Sequence, residues 1–314
     1  MSDIAGADND GAHASSVITM LGMHRSGTSA LARALRSLGA SWGTDADFHG
    51  EHRLLRQVNN DLLEAFGGSW DTPPQFPPEW TARPESRALD RAAKEAVDQL
   101  LLHVPAVWKD PRACLTMPFW SPLLPDSPIV LIFREPREVA GSLATRNKFG
   151  LGHSYALWER HNSDALGYAV GRRTVVVSYR ELVESPESTL RDLTEALTRW
   201  GIAGLRDPGE VDTELRSDSR KHDARDLPPY TSVTDPQRAL LHLLEASRGV
   251  HDSFALPEPR PELSPIGLEL IEVCSQLRAA EARANRAERG LRTWAASVPR
   301  RLESLVGRGR KASR

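Results

Sequence analysis

Four short apolar runs punctuate the chain: Val17-Ile18-Thr19, Ala106-Val107-Trp108, Pro128 through Phe133, and Thr174 through Val177. Each is rich in β-branched or aromatic residues and none alternates apolar with polar, the pattern of a strand buried on both faces. Between them the apolar period changes to three and four. Leu54, Leu55, Val58, Leu62 and Leu63 mark one helical face within Glu51–Phe66. Further helices are predicted from near Ser29, over Pro84–Leu102, from Pro136 to Asn147, over Ser154–Ala169 and over Pro186–Trp200. The proline-punctuated stretch Asp71–Trp80 must be a loop. Strands separated by helices predict a parallel sheet with helices packed on either side, a three-layer α/β fold.

Beyond residue 255 the pattern changes. Leu256–Pro265 is rich in proline and reads as a linker. Leu270, Val273, Leu277, Ala280, Ala284, Ala287, Leu291, Trp294 and Val298 then recur in steps alternating three and four. That is a heptad seam, weakly apolar because its middle is alanine, and Pro299 is expected to end it. The tail carries Arg300, Arg301, Arg308, Arg310, Lys311 and Arg314 against one acid, Glu303. The expected organisation is a flexible leader at 1–15, an α/β domain at 16–255, a linker at 256–265, a heptad helix at 266–298 and a basic tail at 299–314. The seam suits self-association or a partner helix, and the tail is read either as a solvated surface or as a contact with an anionic membrane or protein partner.

Composition narrows the function classes. The 314 residues carry a formal net charge of −2, so no whole-chain attraction to nucleic acid is expected. No run approaches the roughly twenty apolar residues that span a membrane. The leader is acidic and small-residued, without the basic start and apolar centre of a signal peptide. Cys114 and Cys274 match no metal or redox spacing. A cytoplasmic protein is expected, with its tail a candidate for the inner membrane surface.

The chemistry is densest at Ser16–Gly39. A β-branched run leads into Gly22, a turn and an alanine- and leucine-rich helix. That order builds a phosphate-binding loop, in which backbone N–H groups and the positive helix terminus receive an anion. The ATPase form ends in Gly-Lys-Ser/Thr, whereas here Gly27 is followed by Thr28 and Ser29, and the cation is Arg25. A second motif follows the run at Ile129. Arg134 ends the strand, Pro136 is placed to open a helix, and Ser142 lies eight positions after Arg134. An arginine fork with a hydroxyl suits a terminal phosphate.

Arg25-Ser26-Gly27-Thr28-Ser29 resembles the 5′-phosphosulfate loop of sulfotransferases that use 3′-phosphoadenosine 5′-phosphosulfate (PAPS), in the bacterial form with arginine for lysine. Arg134 and Ser142 resemble that family's 3′-phosphate site. Tyr179, in Ser178-Tyr179-Arg180-Glu181-Leu182 before Pro186, resembles its Tyr-Glu-Asp-Leu element, whose tyrosine helps to hold adenosine; Arg180 departs from that pattern. The resemblance covers Val17 to Gly201. It implies a P-loop-type fold, PAPS as co-substrate without a required metal, and transfer to a hydroxyl acceptor, with a sugar or glycoconjugate suggested by the bacterial members.

Sulfuryl transfer is largely positioning and electrostatics. Arg25 and Lys109 are the cations assigned to the bridging oxygen, with Ser26, Gly27, Thr28 and Ser29 around the 5′-phosphate. Glu51 matches the glutamate that the family's carbohydrate-modifying branch uses as base; His49, His52 and Asp110 are the alternatives. The His49-Gly50-Glu51-His52 run lacks further ligands for a metal. Two rivals stay open: a P-loop nucleotide kinase or ATPase, which should carry a loop lysine, and a nucleotide-binding scaffold without turnover. Arg216–Leu227 is a basic loop, read either as a solvated turn or as a segment closing over the donor.

Overall fold

The computed structural model describes residues 16–208 and 227–309. The leader, most of the basic loop at 216–227 and the last five residues of the basic tail lie outside the described residues.

In chain order the elements are β1 (Val17–Leu21), α1 (Thr28–Ser37), α2 (Arg53–Ala65), α3 (Pro84–Arg87), α4 (Asp90–Leu101), β2 (Ala106–Lys109), α5 (Ala113–Trp120) and β3 (Ile129–Phe133). They continue with α6 (Pro136–Asn147), α7 (Leu151–Ala169), β4 (Thr174–Ser178), α8 (Tyr179–Glu184), α9 (Pro186–Arg199), α10 (Asp235–Ala246), β5 (Gly249–His251) and α11 (Pro265–Gly309). The sheet order is β2-β1-β3-β4-β5. β1 to β4 pair in parallel, as expected, while β5 adds an antiparallel edge that the sequence pattern did not announce. At three residues, Gly249-Val250-His251 is too short to show a period, and only pairing with Thr174–Val176 makes it a strand.

Every residue of β1 to β4 is buried, and successive side chains serve opposite layers. Val17, Leu21, Trp108, Ile129, Leu131 and Phe133 pack with α2, α4, α5, α7 and α10. Ile18, Met20, Val107, Val130, Ile132, Val175 and Val177 pack with α1 and α9. A strand's period of two thus divides one apolar run between two cores, which is why these runs show no polar face. The predicted three-layer α/β architecture is what the chain adopts.

The first compact unit of the chain ends at Ile271 and the second begins at Glu272. The expected boundary at 265/266 therefore falls inside the first unit. Ile271 is buried in the core, and Ser264 N–H donates to Glu159 Oε1 at 2.6 Å. The helical extension runs through Pro299 to Gly309 instead of stopping at the proline. One proline removes a single i→i−4 bond, which a long helix can absorb. Val273 and Leu277 of the seam are exposed. No described helix is long and apolar enough to cross a membrane.

Candidate active site

The carboxyl ends of β1 to β4 face one crevice, the place where open α/β sheets bind ligands. β1 leads into the loop at 22–27, β2 ends in Lys109, β3 is followed by Arg134, and β4 is followed by Tyr179.

The loop is shaped by close approach. Gly22 N–H reaches Cys114 Sγ at 3.1 Å, and a Cβ on Gly22 would lie 2.5 Å from Ile132 O. Burial pushes the Cys114 thiol up to about 12, so it is a packed, inert group. Arg25 has φ 71°, a left-handed conformation costly for a residue with a Cβ and typical of functional turns. Gly27, at φ 94°, caps α1, and a Cβ there would stand 2.2 Å from Tyr179 Cδ2. The tyrosine ring therefore lies directly on the loop between β1 and α1. Ser26 is fully buried and its Oγ has no hydrogen-bond partner among the described residues.

The two motifs meet. Arg25 Nε donates to Ser142 Oγ at 2.7 Å. Arg134 is almost buried, pairs through Nε with Glu138 at 2.6 Å, and sets its guanidinium carbon 4.3 Å from the centre of the Tyr179 ring. Its terminal nitrogens make no hydrogen bond with the described residues. Trp158 Nε1 donates to Arg134 O at 2.8 Å and anchors the strand end. The structure thus brings Arg25, Ser26, Gly27, Thr28, Ser29, Arg134, Ser142 and Tyr179 to one end of the sheet.

Beside the loop lies a cleft of about 280 Å³. Arg25, Arg56, Lys109, Arg112 and Arg146 line it against two carboxylates, Asp47 and Glu51, so it favours anions. Glu51 accepts from Lys109 Nζ at 2.8 Å and Arg112 Nη1 at 3.2 Å, bridging the end of β2 and the turn after it. It precedes α2 and is not part of it, since His52 is the N-cap. Asp47 accepts from the backbone N–H groups of Glu51 and His49 and pairs with Arg56. Those interactions hold its carboxyl below the usual carboxylate range despite partial burial.

The alternative bases separate. His49 lines the cleft, but His52 and Asp110 do not. His52 is buried against Gly43. Asp110 is also buried and accepts from Asn59 Nδ2 and from Arg112 N and Nη1, so it orients Arg112. No group of three or more metal-ligating side chains occurs among the described residues.

Sequence reasoning gave no role to Arg112, His24 or Trp70, which all line the cleft. Arg112 had a signal: a second cation three positions after Lys109 in the same turn. His24 also had one, as the neighbour of Arg25 in the loop. Trp70 had none, because nothing local shows that the loop around it folds back over His24, with ring centroids 4.1 Å apart.

A family model described as the sulfotransferase family matches residues 18–199. The sulfotransferase domain from the Synechococcus PCC 7002 olefin synthase is 16% identical, with 82% of this chain and 94% of that chain covered and a TM-score of 0.39. The sulfotransferase domain from the curacin biosynthetic pathway is 15% identical, with 82% and 97% covered and the same TM-score of 0.39. No curated protein matches.

Proposed function

The chain belongs to the sulfotransferase family and is a sulfotransferase enzyme; from that premise we propose that its donor is PAPS and its acceptor the hydroxyl of a sugar or glycoconjugate. The observation that supports the donor reading is the junction of Arg25 with Ser142, which joins the loop read as the 5′-phosphosulfate loop to a residue read as part of the 3′-phosphate site. The residues fit such a donor on their own chemistry. Ser26 Oγ lies buried in the loop with no hydrogen-bond partner among the described residues, and the lack of a side chain at Gly27 lets the Tyr179 ring lie against the loop, where a Cβ would overlap it.

In this reading Arg25 and Lys109 neutralise charge on the bridging oxygen, and Thr28, Ser29 and loop N–H groups hold the 5′-phosphate. Arg134 and Ser142 take the 3′-phosphate, and Tyr179 packs the adenosine. Glu51 takes the acceptor proton, its carboxylate aimed by Lys109 and Arg112. An adjoining groove of about 800 Å³, lined by Arg33, Arg36, Thr44 and the exposed Phe48, shares Asp47 with the cleft and supports an extended acceptor.

Calorimetry in EDTA tests the donor. Adenosine 3′,5′-bisphosphate should bind without metal, and ATP tenfold or more weakly, a difference of about 1.4 kcal/mol. Equal affinities, or a strict need for Mg²⁺, would overturn the assignment in favour of a kinase-like nucleotide site.

A further inference from the structure

His24 sits between the end of β1 and Arg25, and its ring lines the cleft with Arg25, Lys109 and Glu51. Two rings fix its attitude: Trp70 at 4.1 Å, tilted by 37°, and His161 at 6.2 Å, edge-on. Within the described residues the imidazole makes no hydrogen bond, and its Nδ1 is sealed from solvent. A phenylalanine could stack on Trp70 equally well without burying a polar atom. A buried polar atom without a partner is costly enough to be rare in folded proteins, so this one calls for a reason.

The sealed atom selects the tautomer. A proton on Nδ1 would be a buried donor with nothing to accept it. A bare lone pair there is the milder loss, since orphaned N–H groups are rarer than under-used acceptors. The proton is therefore assigned to Nε2, the ring nitrogen that is not sealed, on a residue that lines the cleft. Burial and the nearby Arg112, His161, Lys109 and Arg25 hold the ring's pKa well below 6.5, so the imidazole stays neutral. A neutral N–H among cations, facing a cleft, is complementary to the oxygen of an anion.

Resting on the PAPS reading above, we propose that His24 is a further catalytic residue, whose Nε2–H donates to a non-bridging oxygen of the donor's sulfuryl group. In the transfer, the acceptor oxygen forms a bond to sulfur as the bond from sulfur to the bridging oxygen breaks. That electron pair leaves on the 5′-phosphate, and the acceptor proton goes to the base. His24 keeps its proton throughout. Its hydrogen bond steadies the sulfuryl oxygens, over which charge is spread in a loose transition state.

The test needs no acceptor. Affinities for PAPS and for adenosine 3′,5′-bisphosphate, which lacks the sulfuryl group, are compared in wild type, His24→Phe and His24→Gln, together with release of labelled sulfate from bound PAPS. The phenylalanine keeps the stack and should leave bisphosphate affinity within twofold. It should weaken PAPS about tenfold and slow sulfate release by roughly 10²–10³-fold, the usual effect of removing one such donor. Glutamine, whose amide can reach the same point, should restore part of both. Parallel loss of both ligands, or no loss of either, would overturn the role of His24. Wild-type protein that binds neither ligand would instead overturn the donor assignment, and this proposal with it.

Discussion

Arg25 and Ser142, 117 positions apart in the chain, are joined by a 2.7 Å hydrogen bond from Nε to Oγ. The contact couples the loop after β1 to the helix after β3. In the proposed reading it ties Ser142 to both ends of the donor, whereas the sequence alone assigned it only to the 3′-phosphate.

Ligands with and without that phosphate separate the two roles. Arg134→Ala should weaken adenosine 3′,5′-bisphosphate by roughly 1.5–3 kcal/mol and spare adenosine 5′-phosphosulfate, which has no 3′-phosphate. Ser142→Ala should cost both ligands about 1 kcal/mol, because Arg25 loses its hydrogen bond to Ser142 Oγ. Titration calorimetry on folded variants reads both. Equal losses for Arg134→Ala would remove it from the phosphate site.

Gly27→Ala puts a methyl group into the Tyr179 ring at a backbone angle that side chains rarely adopt. Bisphosphate affinity should fall at least about tenfold, the equivalent of one lost hydrogen bond to a charged group, and Tm should drop as well. Combining it with Tyr179→Ala should recover Tm relative to Gly27→Ala alone. Without that recovery, the ring is not what closes the loop.

Glu51→Gln should preserve donor affinity while lowering turnover by roughly 10²–10⁴-fold, the usual worth of a general base. The assay is transfer of labelled sulfate from PAPS into an extract containing the acceptor. Near-normal turnover would pass the role to His49, which shares the cleft, and not to His52 or Asp110, which do not line it.

Acid sensitivity follows from His161. It is fully buried, Nδ1 meets Leu157 O at 2.8 Å, and burial lowers its pKa to about 4. An unfolded chain binds this proton near pH 6.5 and the folded one does not until near pH 4, so stability falls as pH drops through that window. The contribution is of order 3 kcal/mol at most. His161→Asn keeps a donor near the Leu157 carbonyl without titrating and should flatten the decline in denaturant midpoint between pH 6.5 and 4. An unchanged slope would show that other groups dominate.

For the C-terminal extension the informative truncation begins at Glu272, since Ser264 and Ile271 belong to the first compact unit. That form should keep its Tm and donor affinity but sediment more slowly than the lost mass explains if the exposed Val273 and Leu277 seam joins two chains. Cutting after Leu263 should lower Tm, because it strips Ile271 from the core. A monomeric full-length protein would exclude self-association through the seam.

The strands, the loop and the order of the motifs were legible in the sequence because each depends on neighbours close along the chain. An apolar run buried on both faces is visible as a run, and Arg25 through Ser29 follows its strand directly. Arg134 and Ser142 stand eight apart, ending a strand and entering a helix, so their spacing also survives as text. What the sequence could not carry is what tertiary packing joined: Arg25 with Ser142, Gly27 with Tyr179, and Glu51 with Lys109 across 58 positions. The same holds for His24 under Trp70, for the three-residue β5, and for Ile271 in a core it follows by a proline-rich stretch. Local chemistry sets which residues can form an element. Which elements' ends meet is decided by the parallel order β2-β1-β3-β4, which gathers the carboxyl ends of distant strands at one edge.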